Sequence, residues 1–241
     1  MTDNRLIDRL AAGASCFGIS LAPRQLESYR TYLRLLLEWN QRFNLTAIQA
    51  PEEVIDKHFL DSLSCAAALD FAAHRHVVDV GTGAGFPGLV LKIAFPHHEL
   101  LLLDAVDKRL RFLSRVVEAL QLSGVTTLHA RAEEAGRDAR WRAHFEIAVA
   151  RAVAPLNILA EYCLPLVRTG GWFLAQKGPH VEPELDAARP ALRSLGGGEP
   201  RVHTLTLPET EIGRSLVLVP KSAVTPREYP RLPGTPKKHP L

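Results

Sequence analysis

The sequence predicts an α/β protein built on a mostly parallel sheet, and three features support this prediction. From His76 onward, short apolar runs alternate with helical patterns, as a parallel sheet with crossover helices requires. The first apolar run leads directly into a glycine-rich loop, VVDVGTGAGFPG, at residues 77–88. The second run, residues 99–104, ends in a carboxylate. This succession is typical of nucleotide-binding βαβ units, so we expect a nucleoside or dinucleotide ligand.

Composition limits the class of protein. The chain has 241 residues, of which 46% are hydrophobic, enough for one sizeable core and a small added domain. The first ten residues are too charged for a signal peptide, and no apolar run is long enough to span a membrane, so we expect a cytoplasmic protein. The three cysteines and ten histidines form no CxxC or HExxH motif, so neither disulfides nor a metal site is expected.

The N-terminal region is predicted to be a small helical cap. One amphipathic helix is expected over residues 24–43, after Pro23, and a second begins at Pro51. The motif NLTA lies in the loop between them. We therefore expect a cap over residues 1–72, the ligand-binding domain over 73–220 and a basic, proline-rich tail over 221–241.

The sheet is expected to contain five strands followed by an antiparallel pair. The five are predicted at residues 76–80, 99–104, 125–130, 145–150 and 171–177. Helices are predicted at 108–122 and at 155–167, the latter ending before Gly170-Gly171. Residues 201–207 and 214–219 are joined only by PETEIG, which is too short for a crossover helix, so these two strands should pair antiparallel.

The glycine-rich loop is predicted to hold the ligand. Its glycines permit positive φ and a close approach of the backbone to a bound molecule; they are Gly81, Gly83, Gly85 and Gly88. Residues 83–88 fit GxGxxG, but Gly81 and Thr82 separate that motif from the strand, and Pro87 removes one N–H donor. These departures argue against a dinucleotide fingerprint. A structural turn without a ligand is the alternative.

Other candidate residues follow the remaining strands, because ligands lie outside the carboxyl ends of an open α/β sheet. Asp104 ends the second strand, and Arg131 to Glu134 follow the third. The acids at 133 and 134 would also be favoured simply as the first turn of a helix. Arg151 and Lys177 directly follow apolar strands, where a ligand would lie.

Assembled, these motifs resemble the RsmG (GidB) family, bacterial methyltransferases that act at guanine N7 of small-subunit ribosomal RNA. The resemblance covers nearly the whole chain. It is carried by NLTA at Asn44, HFLDSL at His58, DVGTGAGFPG at Asp79, LLDAVDKRLRFL at Leu102, RAEE at Arg131, ARAVAPL at Ala150 and KG at Lys177.

This resemblance implies a Rossmann-like class I methyltransferase with a seven-stranded, mostly parallel sheet, an antiparallel final hairpin and S-adenosylmethionine as cofactor. The methionine carboxylate would lie on the glycine loop and the ribose on Asp104. Together, the loop and the resemblance predict the cofactor-binding residues Gly81, Gly83, Gly85, Phe86, Asp104, Ala132, Glu133 and Arg151.

The implied chemistry needs no general base, because guanine N7 carries a lone pair and no proton. We therefore expect no catalytic acid or base, and only alignment of the reactants. Arg151 and Lys177 are the positioning candidates. They could hold the methionine carboxylate, the guanine O6 or a phosphate.

The expected partner is 16S ribosomal RNA or the small ribosomal subunit, bound by a monomer. Candidate RNA contacts are Asn44, His58, Arg109 and Lys177. The tail adds five cations against one acid, Glu228, which fits a polyanionic partner or a solvated segment; the cations are Lys221, Arg227, Arg231, Lys237 and Lys238. An NAD-dependent oxidoreductase and a non-catalytic ribosome-associated nucleotide-binding protein are the alternative functions.

Overall fold

The computed structural model describes residues 2–241 and contains a seven-stranded sheet in the order β3-β2-β1-β4-β5-β7-β6. The strands are β1 His76–Val80, β2 Glu99–Asp104, β3 Val125–His129, β4 Phe145–Arg151, β5 Val167–Lys177, β6 Arg201–Thr206 and β7 Gly213–Pro220. The pairs among β1 to β5 are parallel, whereas β7 runs antiparallel to both β5 and β6. The predicted fold class is confirmed, including the antiparallel final pair.

Ten α-helices accompany the sheet within residues 2–241. They are α1 Thr2–Ser15, α2 Pro23–Phe43, α3 Pro51–Val54, α4 Asp61–Leu63, α5 Gly88–Ala94, α6 Asp107–Ala119, α7 Ala132–Arg137, α8 Leu156–Cys163, α9 Glu182–Ser194 and α10 Thr235–Lys238. A π-helix, Ile55–Leu60, joins α3 to α4. The expected second N-terminal helix therefore contains a π segment, a feature frequent at functional sites. None of the described helices is long and apolar enough to cross a membrane.

The helices form two layers, because successive strand side chains point to opposite faces of the sheet. Val77, Leu102 and Ile147 pack with α1, α2, α5 and α6 in one hydrophobic cluster. Val78 and Leu101, on the other face, pack with α8 and α9. The N-terminal helices thus share a core with the sheet. The domain boundaries at residues 72 and 220 stay predictions.

One helix boundary expected from the sequence is wrong. The helix predicted over 155–167 ends at Cys163, and β5 begins at Val167, so Gly170 and Gly171 lie inside a strand. Gly170 has φ +85°, and a Cβ at Gly171 would lie 2.5 Å from the carbonyl oxygen of Glu146. These glycines accommodate an irregularity in the pairing of β4 with β5.

The short helix α10 in the tail was not expected from the sequence, and neither were the longer helices α1 and α9, although both of these carry a helical apolar pattern. In α1 the buried residues Leu6, Ile7, Leu10 and Ala14 recur at helical spacing. In α9 the buried residues also recur at helical spacing, although Pro190 lies inside the helix. Both helices bury that stripe against the sheet layers.

The C-terminal tail is partly buried, which argues against the alternative of a wholly solvated segment. Lys221 is 3% exposed and its Nζ donates to the carbonyl oxygen of Leu195 at 2.6 Å. Burial lowers the pKa of Lys221 to about 7. Arg231 pairs with the buried carboxylate of Glu161. Two of the five tail cations are therefore engaged within the protein.

The glycine loop is held from below by a fully buried carboxylate at the end of β1. Asp79 Oδ2 accepts hydrogen bonds from the Thr82 hydroxyl at 2.7 Å and from the Gly88 N–H at 2.9 Å. Within residues 2–241, Oδ1 has no hydrogen-bond partner. Burial raises the pKa of Asp79 from its ordinary value of 3.8 to about 6. This carboxyl supports the loop from its interior side.

Two glycines of the loop have different roles in packing. Gly85 has φ +102°, and a Cβ there would overlap the Tyr32 hydroxyl and lie 2.9 Å from a Leu113 methyl group. Gly83 has φ +60°, but a Cβ there would meet no atom closer than 4.0 Å. Gly85 therefore faces the core, whereas Gly83 faces open space.

We expect Gly85→Ala to lower the free energy of unfolding by about 2–3 kcal/mol, because it combines a strained φ with overpacking. Gly83→Ala is the control, with strain but no overlap, and should cost only about 1 kcal/mol. Urea denaturation measures both values. Equal losses would contradict the packing role of Gly85.

We expect Asp79 to make stability depend on pH between about 4 and 6. Since its folded pKa lies above the unfolded one, the folded state binds the proton more tightly, and this stabilisation is complete below about pH 4. It is lost as the pH rises through about 6. Urea unfolding from pH 4 to 7.5 should show the stability of wild type falling relative to Asp79→Asn over that window. If the stabilities of wild type and of Asp79→Asn changed with pH in the same way, the raised pKa of Asp79 would be refuted.

Candidate functional site

Two cavities open at the carboxyl edge of the sheet, on either side of the loop that follows β4. Cavity A, with a volume of about 370 Å³, is lined by residues that include Gly81, Asp104, Glu133 and Val153. Cavity B, of about 420 Å³, is lined by residues that include His58, Asp61, Arg151, Lys177 and Arg214. Ala152 lines both cavities. The two spaces therefore meet across one residue.

Asp104 provides a buried carboxylate to cavity A. It is 3% exposed at the end of β2. Its Oδ2 accepts from the Gly83 N–H at 2.9 Å, and its Oδ1 accepts from the Val106 N–H at 2.8 Å. Each oxygen also lies 3.3–3.4 Å from Arg109 Nη1, a long contact that a ligand hydroxyl group can replace. Asp104 thus orders the glycine loop and can still accept a hydrogen bond from a ligand.

Arg109, predicted as an RNA contact, lines cavity A. Its Nη1 lies 3.3 Å from Asp104 Oδ2 and 3.4 Å from Oδ1. The neighbouring cations of α6 are also paired, Arg111 with Asp107 and Arg115 with Glu118. The polar face of α6 is therefore partly neutralised.

Gly81 brings the glycine loop close to the loop after β4. It has φ +72°, and a Cβ there would lie 2.6 Å from a Val153 methyl group. A side chain at this position would push the two walls of cavity A apart. Gly81 is therefore required by this close approach.

The far wall of cavity A is formed at the start of α7 by Ala132 and Glu133. Glu133 is 2% exposed, and its Oε1 accepts from the Gly234 N–H at 2.8 Å. Of the predicted cofactor residues, cavity A brings together Gly81, Asp104, Ala132 and Glu133. Gly83 lies beside it, bonded to Asp104.

Phe86 does not line cavity A, and its ring stacks on that of His58, which lines cavity B. Its ring centroid is 4.3 Å from that of His58 with nearly parallel planes, and the Arg151 guanidinium carbon is 5.0 Å from the ring centroid. Phe86 thus connects the glycine loop to the N-terminal helices. Its assignment to the cofactor, like those of all the other predicted cofactor residues, stays a prediction.

Arg151 ends β4 and contacts three N-terminal groups in cavity B. Its Nη1 donates to Asp61 Oδ2 at 2.9 Å and to the Lys57 carbonyl oxygen at 3.1 Å, and its Nη2 lies 3.1 Å from His58 Nδ1. Asp61 is 2% exposed and also accepts from Arg214 Nε at 2.8 Å. One buried carboxylate therefore pairs with two guanidinium groups.

His58 is neutral near pH 7. Burial, and then the charge of Arg151, lower its pKa to about 3. Because Nδ1 faces an Arg151 donor, the proton is assigned to Nε2, which lies 2.8 Å from the Thr46 hydroxyl. The motifs NLTA and HFLDSL are thus in contact through Thr46 and His58.

Lys177 holds the loop after β4 in place. Its Nζ donates to the Ala154 carbonyl oxygen at 2.8 Å and to Glu184 Oε1 at 2.5 Å. Glu184 Oε1 also accepts from the Leu156 N–H. These contacts restrain the segment that carries Ala152.

Ala152 has φ +56°, an unusual value for alanine. Strained backbone of this kind persists where the surrounding structure enforces it and clusters at functional sites. The Lys177 contacts supply that restraint. The strain lies at the junction of the two cavities.

Sequence reasoning missed Arg214 and Gln176, and it assigned no role to Asp61. Gln176 Nε2 donates to the Asp61 carbonyl oxygen at 2.6 Å. An acid inside the apolar motif HFLDSL was a usable signal for Asp61, whereas the strands of Gln176 and Arg214 carried none. Asn44 lies apart from both cavities, in a groove with Leu37 and Gln49.

Solved structures with a similar fold include proteins named as methyltransferases. One, a predicted O-methyltransferase from Agrobacterium tumefaciens, covers 70% of this chain and 81% of its own at a TM-score of 0.54 and 22% identity. Another, TrmN from Thermus thermophilus, covers 69% of this chain and 53% of its own at a TM-score of 0.51 and 18% identity. At these identities the likeness shows the fold alone.

Sequence comparison identifies the family. The family model GidB, described as rRNA small subunit methyltransferase G, matches residues 25–212. Ribosomal RNA small subunit methyltransferase G of Alkaliphilus metalliredigens is 46% identical over 232 residues, 96% of this chain and 97% of the relative. The Bacillus subtilis protein of the same name is 44% identical over 235 residues, 98% of each chain. This chain belongs to the rRNA small subunit methyltransferase G (GidB) family.

Proposed function

We propose that this methyltransferase transfers the methyl group of S-adenosylmethionine to N7 of a guanine in 16S ribosomal RNA, acting as a monomer in the cytoplasm. The observation that carries the proposal is the pair of cavities that meet at Ala152. Cavity A presents carboxylates beside the glycine loop, and cavity B presents guanidinium and ammonium groups. A methyl donor held in cavity A and a methyl acceptor held in cavity B would face each other across Ala152.

Cavity A suits the cofactor by the chemistry of its walls. A ribose and an adenine offer hydroxyl and amine donors, and Asp104 and Glu133 are buried acceptors. Gly81, at the end of β1, keeps a narrow approach for the methionine portion. When bound, the cofactor supplies a methyl group on a positively charged sulfur. Asp104 and Glu133 would hold the nucleoside portion of the cofactor through its hydroxyl and amine groups.

The sheet order supports the orientation of the cofactor. The ends of β1, β2 and β3 lie side by side and contribute Gly81, Asp104 and Glu133 in turn. If the methionine portion of the cofactor lies at the end of β1 and its ribose at the end of β2, its adenine would lie near the end of β3.

Cavity B suits a guanine nucleotide. Guanine O6 and the phosphates are acceptors, and Arg151 and Arg214 are rigid, always charged donors. Neutral His58 adds no charge that would repel the sulfonium. Because N7 has no proton to lose, no general base is required of these residues. Their task is to align the base and exclude water, and such alignment lowers the barrier by several kcal/mol.

The proposal is tested by methylation of 16S rRNA and of small subunits from a strain that lacks the corresponding gene. With methyl-labelled cofactor and the purified chain, we expect 7-methylguanosine after digestion, identified by mass spectrometry against a standard. A product methylated at an exocyclic amine would refute the N7 assignment. Binding of RNA without any methylated product would favour the non-catalytic alternative, and preferential binding of NAD would favour the oxidoreductase.

We expect Asp104→Ala to weaken cofactor binding by about 1.5–3 kcal/mol, the value of a hydrogen bond to a charged group. Asp107→Ala is the matched control, because it removes an acid three residues away that pairs with exposed Arg111. Isothermal titration calorimetry with S-adenosylmethionine measures both. A loss below tenfold, about 1.4 kcal/mol, would count against the ribose contact.

A further inference from the structure

The segment 231–234 of the tail touches the wall of cavity A. The Gly234 N–H donates to Glu133 Oε1 at 2.8 Å across 101 positions of sequence. This hydrogen bond engages one carboxylate oxygen and leaves Oε2 as an acceptor. Since Glu133 is 2% exposed, its carboxylate has little other solvation. The tail therefore sets the orientation of this acid.

The segment is anchored by a second buried acid. Glu161 is 1% exposed; its Oε1 accepts from the Arg231 N–H at 2.7 Å and from Arg231 Nε at 2.9 Å, and its Oε2 accepts from Nη2 at 2.6 Å. Arg137 of α7 donates to the Pro230 carbonyl oxygen at 2.7 Å. Bidentate pairs of this kind restrain geometry as well as charge. The chain preceding Gly234 is thus held in a defined position.

We propose that residues 231–234 position Glu133, a residue that lines cavity A, to accept a hydrogen bond from the exocyclic amine of adenine. This inference rests on the proposed function. Glu133 lies at the β3 end of cavity A, where the order of the strand ends places the base. A free carboxylate could turn towards solvent, whereas one held at Oε1 keeps Oε2 in a fixed direction.

Some tail cations are engaged within the protein, and others are free to bind RNA. Lys221 and Arg231 are engaged within the protein, whereas Lys237 and Lys238 are exposed beyond Gly234. The exposed pair can contribute to RNA affinity through release of counterions. The cofactor role and the RNA role can therefore be separated by variants.

The test compares two ligands on three proteins. Calorimetry measures the binding of S-adenosylhomocysteine and of S-inosylhomocysteine, which lacks the exocyclic amine, to the full chain, to Gly234→Pro and to the double variant Lys237→Gln, Lys238→Gln. Proline at 234 removes the N–H donor and cannot adopt φ +86°. The double variant retains Gly234 and is the control.

We expect the full chain and the control to prefer the adenine compound at least tenfold. In Gly234→Pro that preference should fall to threefold or less, because S-adenosylhomocysteine binds at least several-fold more weakly while S-inosylhomocysteine is little affected. A general loss of structure would weaken both ligands alike. Removal of residues 233–241 should change the ligand preference as Gly234→Pro does. Because the truncation also removes Lys237 and Lys238, both it and the double variant should flatten the salt dependence of RNA binding, whereas Gly234→Pro should leave it unchanged.

An unchanged preference in Gly234→Pro and in the truncated chain would overturn the inference while leaving the proposed function intact. Equal weakening of both ligands would also overturn it, because the tail would then act only on stability. Failure of the full chain to bind either S-adenosylmethionine or its product would overturn the proposed function itself, and this inference with it.

Discussion

The site depends on one buried carboxylate, that of Asp61, which pairs with Arg151 at the end of β4 and with Arg214 in β7. This ion cluster ties the N-terminal helices to the sheet where both cavities open. Removing one partner from such a cluster typically costs about 3–5 kcal/mol, because the remaining charge is left buried and unpaired. His58 and Phe86 stack beside Arg151. The positions of the HFLDSL motif and of the glycine loop therefore depend on the same ions.

The loop after β4 separates cavity A from cavity B. Ala152 adopts a strained backbone conformation between the cavities, and Lys177 restrains the loop through the Ala154 carbonyl oxygen and Glu184. A cation that directly follows an apolar strand looked like a ligand contact in the sequence. In the structure two of its hydrogen bonds go to the protein, so Lys177 shapes the wall of cavity B. Its contact with RNA stays a prediction.

The tail shows why charge counting is a weak guide to binding. Five cations against one acid suggested a polyanionic partner, yet such a count does not include acids that approach from elsewhere in the chain. Glu161 neutralises Arg231, and the backbone of Gly234 meets Glu133. Only cations with no such partner remain for RNA. The same effect is seen on α6, where intrahelical acids pair with Arg111 and Arg115.

The sequence by itself determined the seven strands, the antiparallel final pair and the position of the glycine loop, because these follow from periodicity and from short connections. It also determined that Asp104 ends a strand beside that loop. Only the tertiary structure decided that Gly85 serves the core and Gly83 does not, that Asp61 and Arg214 meet, and that the tail reaches Glu133. These are contacts between segments distant in the chain, and side-chain pattern within one segment carries no information about which partner will come to lie against it.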